Sequence, residues 1–269
     1  MTRDPEPAPR HAAAAYFPLA VAVFVVFLVG DRLQELLRLF PFYQQLYHRF
    51  AFYVPEGGKS LLQIALCVLA ARWVTRATYA QALRELGLGA SWRRGIAFGV
   101  LASAPMLLGF VATMPFGRHG TILQIAYLAL LAPFAEEVLY RAFACGLLYR
   151  RAGVPLWLAI AATAVVFGYG HIDKGQSPVQ QIQLLVLTGT GGAFFAWFYV
   201  RSGFNLWAPF ALHVAMNLWW ELFEVGKTAI GGWYPFALQA VTMLLALVLV
   251  EHAHRRRTAP TTNVAPAGA

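Results

Sequence analysis

Two adjacent glutamates, one arginine, two histidines and one asparagine stand inside otherwise apolar stretches of this 269-residue chain. They are Glu136, Glu137 and Arg141 in LLAPFAEEVLYRAFACGLL, His171 closing ATAVVFGYGHID, and His213 with Asn217 in NLWAPFALHVAMNLWW. In a bilayer core an ionisable side chain is costly, so each of these residues calls for a partner or a function. On a helix Glu137 and Arg141 are i and i+4 with the acid first, the favourable order for an ion pair. Glu136 then points about 100° away, because a helix turns once in 3.6 residues. Local sequence explains one carboxylate and leaves the other unpaired, to take up a proton or to find a partner on another helix. His213 and Asn217 share a helix face and could present an imidazole and a carboxamide to one cavity. Phe167 precedes His171 on the same face. Each group alone also has a plain structural reading: a salt network, a helix-terminal histidine, an interhelical hydrogen-bond pair.

The elements that must position these residues are membrane helices. The chain is 59% hydrophobic and 12% charged, with mean hydropathy +0.57, against roughly 45–50% and 25% for soluble domains. That composition argues strongly against a soluble globular enzyme. Apolar stretches at 13–30, 60–74, 95–114, 121–149, 154–170, 180–200, 204–223 and 233–252 predict an all-α, polytopic membrane bundle of about eight transmembrane helices. Pro133, three residues before Glu136, should disturb the fourth stretch, freeing a backbone carbonyl and making room for water. Residues 31–59, where aromatics alternate with charges, read as an interfacial or re-entrant segment of a single domain covering 13–254. The polar, proline-rich 1–12 and the 255–269 stretch read as disordered tails. Gly189, Gly191 and Gly192 suit close helix packing better than a phosphate loop, since no G-x-x-x-x-G-K follows. Cys67 and Cys145 sit in apolar runs and read as buried small hydrophobes.

The +9 formal charge would suggest nucleic acid for a soluble protein; here basic cytoplasmic loops account for it, and no nucleic-acid partner is expected. With the amino terminus inside, the loops and tails place 13 Lys and Arg on the inner face and seven on the outer, with Arg141 in a span. Both termini are therefore expected in the cytoplasm. Only three of the 21 basic residues are lysine and alanine abounds, the bias of a high-GC bacterial genome, which points to a bacterial inner membrane.

The three polar groups resemble the three motifs of the CPBP family, the CAAX-protease and bacteriocin-processing (Abi) intramembrane proteases. Glu136 to Arg141 matches E-E-x-x-x-R, Phe167 to His171 matches F-x-x-x-H, and His213 to Asn217 matches H-x-x-x-N, in order and across about 80 residues. The resemblance implies an intramembrane endopeptidase acting on a membrane-associated protein or peptide in the lipid bilayer, without a cofactor. It further implies that Glu136 and His171 activate water and that His213 and Asn217 stabilise the oxyanion. Glu137 and Arg141, with Phe167, would support the site. Three alternatives stay open: a zinc ion held by Glu136, His171 and His213, a non-catalytic peptide-binding or immunity protein, and a proton-coupled transporter.

Overall fold

A computed structural model describes residues 13–117, 120–225 and 232–258. The tails expected at 1–12 and 259–269, and the charges of Arg3, Arg10, Arg118 and Lys227, lie outside the described residues. Twelve helices follow in chain order: α1 Ala13–Asp31, α2 Leu33–Arg38, α3 Pro41–Arg49, α4 Tyr53–Thr75, α5 Tyr79–Glu85 and α6 Trp92–Ala102. After them come α7 Ala104–Thr113, α8 Ile122–Arg150, α9 Leu156–Tyr169, α10 Pro178–Arg201, α11 Trp207–Leu222 and α12 Trp233–Thr258. Among the described residues there is no strand, only an isolated bridge between Phe116 and Phe223.

All eight apolar stretches are helical, but fewer than eight are long enough to cross a bilayer. Five meet that length and apolarity, α4, α8, α9 with its continuation to Lys174, α10 and α12; α6 with α7 makes a sixth if the pair, bent by 42°, is one broken span. Helix α11 has 16 residues, about 24 Å at 1.5 Å per residue, which falls below the roughly 30 Å of a hydrocarbon core. The expected count of eight therefore exceeds the five or six spans found among the described residues, with α11 and α1, described as apolar over Phe17–Asp31, making the difference. The α6–α7 bend has a local cause. Pro105, in the first turn of α7, has no N–H to offer the carbonyl four residues back.

The aromatic segment at 31–59 folds into α2, α3 and the first turns of α4. At six and nine residues, α2 and α3 are too short to span. Helix α12 runs to Thr258, into the basic stretch expected to be tail. Arg255 pairs with Glu251 at 3.2 Å in i,i+4 register, and arginines in a last turn complement the helix dipole.

Two close pairings set the bundle. Helix α6 lies on α11, and α9 on α10. A Cβ at Gly95 would come within 2.6 Å of the Trp207 Cβ, and one at Gly99 within 2.5 Å of the Leu212 nitrogen. This small-x-x-x-small register lets the two backbones touch. In the other pair, a Cβ at Gly168 would stand 2.7 Å from the Leu185 carbonyl oxygen and 3.1 Å from Gly189. Gly189 and Gly192 thus face α9, while nothing lies within 4 Å of a Cβ at Gly191.

The helices alternate in direction, and the two ends of the bundle differ. One end gathers Arg72, Arg76, Arg84, Arg93, Arg94, Arg150, Arg151, Arg201, Arg255 and Arg256. Arg150 and Arg151 clasp Glu85 there, and Arg201 pairs with Glu251 at 3.5 Å. The other end carries Arg32, Arg38, Arg49, Lys59 and Lys174.

Candidate active site

Helix α8 carries the first motif and is irregular. Two stretches, Tyr127–Leu131 and Glu137–Cys145, are wound as π-helix, separated by the α-helical Ala132–Glu136. Such wide turns recur at functional sites. Pro133 explains part of the irregularity. The Ala132 N–H bonds to the Tyr127 carbonyl five residues back, so the next bond in that register would run from residue 133 to Leu128. Proline has no N–H to make it. The Leu128 carbonyl is instead taken by the Asn217 side chain, whose Nδ2 donates at 3.2 Å from α11. A half-buried backbone oxygen left over in one helix is thereby satisfied by another.

The two glutamates have unlike surroundings. Glu137 is fully buried. Its Oε1 lies 3.5 Å from Arg141 Nη1, as i,i+4 spacing predicts, and 2.9 Å from His213 Nδ1. Arg141 is held between rings, its guanidinium carbon 4.5 Å from the Phe167 centroid and 5.3 Å from that of Phe195. Glu136 keeps 29% of its side chain exposed, and its Oε2 is 3.8 Å from His213 Nε2. His213 therefore stands between both carboxylates, one ring nitrogen toward each, with Phe195 stacked on it at 5.0 Å. Since a carboxylate can only accept, the proton on Nδ1 points at Glu137 and the ring orientation is fixed.

The exposed edge of Glu136 faces a polar cavity of about 330 Å³. His171, which follows the end of α9, lines the same cavity. Its Nδ1 is 2.8 Å from the Phe167 carbonyl oxygen, an acceptor, so Nδ1 carries the proton and Nε2 is the acceptor. Phe167 packs on the imidazole at 4.6 Å and on Tyr140 at 4.9 Å. All three motifs thus meet around one site: Glu136 and His171 on the cavity, His213 between the glutamates, Asn217 tied to the backbone of α8. Straight helices perpendicular to the membrane would set His171 and His213 more than 10 Å apart in depth. Glu136 nonetheless lies 3.8 Å from His213 and lines one cavity with His171.

The remaining cavity wall is not legible in the motifs. Asp31 and Arg32 come from the end of α1, Lys59, Ser60 and Gln63 from α4, Tyr127 and Tyr140 from α8, and Asp173 with Lys174 from beyond α9. Tyr140 donates its hydroxyl to Asp31, whose other oxygen is 3.1 Å from Arg32 Nε. Behind this wall Glu56 is buried and accepts from Gln34 and Tyr47, both at 2.6 Å. The one signal for Asp31 was its place as the first charge after an apolar run. Nothing local linked it to Tyr140, 109 residues away. The alternative metal set does not assemble: among the described residues no three of His, Cys, Asp or Glu are grouped as metal ligands.

A family model described as type II CAAX prenyl endopeptidase Rce1-like matches residues 117–219, which hold every motif residue. This segment is similar to the Rce1-like CAAX-protease domain over somewhat more than a third of the chain. The family is one of peptide hydrolases, and the chain is a membrane-embedded protease on that footing. Helices α1 to α7, which supply Asp31, Arg32 and Lys59 to the cavity, precede the matched segment. No curated protein and no solved structure gives a significant match to the chain.

Proposed function

We propose that the chain is an intramembrane endopeptidase in which Glu136 and His171 activate water to cut a membrane-associated protein or peptide. The observation that carries this reading is the division between the glutamates. Glu137 is consumed by Arg141 and His213, whereas Glu136 turns a partly exposed carboxylate into a polar cavity shared with His171. Water placed between them meets two acceptors, the Glu136 carboxylate and His171 Nε2. Both pull on its protons, and the oxygen gains nucleophilicity toward a peptide carbonyl. Glu136 takes the proton as the C–O bond forms. His213, steered by Glu137, sets Nε2 beside Glu136, and in its doubly protonated form the Nε2–H is a hydrogen-bond donor to the developing oxyanion. The second N–H of Asn217, the one not spent on Leu128, is the further oxyanion donor. Proton transfer from Glu136 to the amine then completes hydrolysis and restores the carboxylate.

The test is Glu136→Gln. The amide keeps the shape and cannot take a proton. Turnover of a membrane-tethered reporter peptide should fall at least about 100-fold, the lower end of what general-base removal costs, with insertion and thermal stability in detergent unchanged. Wild-type turnover in this variant would overturn the assignment of the base.

A further inference from the structure

The cavity lies toward one end of the bundle. Its mouth is built where α1 ends, where α4 and α8 begin and where α9 ends, at Arg32, Glu35, Lys59, Asp173 and Lys174. That is the end opposite the ten arginines, with half as many basic residues among those described. The basic residues next to membrane helices mark the cytoplasmic face, and Lys and Arg alone are counted for this purpose. Helix direction places the mouth with equal clarity. Arg150 ends α8 at the basic end beside Glu85, fourteen residues and about 21 Å of helix beyond Glu136, whereas His171 lies past the far end of α9. The side wall at the mouth also has the make-up of an interface facing water and headgroups. Phe40, Phe42 and Phe52 are more than half exposed there, around the short α2 and α3.

From these observations we infer that the active-site cavity faces away from the cytoplasm, and that its substrate is a peptide presented on the outer face of the membrane. Resting on the hydrolase reading for its second half, this assigns the substrate class: the extracytoplasmic, membrane-anchored part of an exported protein or peptide. A peptide held on the cytoplasmic surface would have to pass the arginine-rich end, where α5 and the Arg150–Arg151–Glu85 cluster close the bundle. The orientation also explains why the cavity mouth is charged with both signs. Asp31 and Glu35 accompany Arg32, and Glu56 accompanies Lys59 at 3.4 Å, so the outer rim is polar without adding to the positive charge retained inside.

The experiment labels cysteines in intact cells expressing the full chain. Cys67 and Cys145 are fully buried, so both can stay as internal unlabelled controls. Glu35→Cys and Asp173→Cys at the mouth should react with a membrane-impermeant maleimide at least tenfold faster than Arg93→Cys and Arg256→Cys at the basic end, with the difference lost on permeabilisation. The reverse pattern overturns the orientation. Should a cysteine variant fail to accumulate, reporters fused to the carboxy terminus of the unaltered chain read the same property. A fluorescent protein that matures only in the cytoplasm should light up, and an active alkaline phosphatase fusion would overturn it. New peptide termini that appear with the wild-type chain and vanish with Glu136→Gln should then map to outer-face segments. Termini mapping to cytoplasmic segments overturn the substrate class. Labelling of the mouth from outside without any Glu136-dependent terminus removes the hydrolase reading and with it the substrate class, while the orientation stands.

Discussion

Glu136 and Glu137 are neighbours in sequence and chemically unlike, because the helix sends one to a cavity and the other into a ring-lined interior. For Glu137 the consequence is structural. Glu137→Gln leaves the Arg141 guanidinium buried among Phe167, Phe195 and Tyr140 without its counter-charge, a change worth about 3–5 kcal/mol when a buried pair is broken from one side. Folded yield and melting temperature in detergent should drop for Glu137→Gln and stay level for Glu136→Gln. Glu137→Gln combined with Arg141→Met should recover much of the loss, since an apolar pair can replace a buried ion pair at little cost. A metal test belongs to the same residues. Glu137 is already committed to Arg141 and His213, and Asn217 has a poor ligand atom for zinc and a backbone partner. Reporter cleavage should persist after exhaustive chelation, and stoichiometric zinc whose removal stops turnover would contradict it.

At the scale of elements, helix α8 shows how far a sequence can be read. The i,i+4 spacing of Glu137 and Arg141 made their pairing legible, and Pro133 announced a freed carbonyl nearby. Which helix would meet that carbonyl was not legible: Asn217 is 89 residues from Leu128, and nothing in the H-x-x-x-N spacing says that the amide would be spent on a backbone oxygen. The π turns were equally hidden, because a widened register depends on what the neighbouring helices demand. The number of spans was overread for the opposite reason, since the apolar stretch 204–223 runs beyond both ends of the 16-residue α11. The Pro133–Leu128–Asn217 relation can be checked directly. Pro133→Ala returns an N–H at residue 133 that can serve the Leu128 carbonyl and release Asn217. The variant should keep or gain stability, as alanine suits a helix interior better than proline by roughly 3 kcal/mol, and should lower turnover because α8 rewinds beneath Glu136. In that background Asn217→Ala should cost less stability than in the wild type, a non-additivity that a double-mutant cycle measures.

Across the whole molecule, the site exists because two helix pairs hold α8 against both α9 and α11. Motif residues 136, 171 and 213 are brought together by contacts that contain none of them. The α9–α10 contact is the sharper case, since Gly168 lies three residues before His171 and has no room for a side chain against the Leu185 carbonyl and Gly189. Gly168→Val must push α9 off α10 by a distance of the order of a methyl group, and His171 moves with it while Glu136 stays on α8. A catalytic group misplaced by about 1 Å can cost on the order of 100-fold in rate. Gly168→Val should therefore lose at least tenfold in turnover along with a lower melting temperature. Gly191→Ala, on the same helix pair but with nothing within 4 Å of its added Cβ, should leave turnover unchanged and raise stability slightly, as alanine favours helix over glycine by about 1 kcal/mol. The pair is measured by reporter cleavage and thermal unfolding in detergent. If Gly168→Val kept full turnover while Gly191→Ala lost it, the face of α10 that positions His171 would be the wrong one.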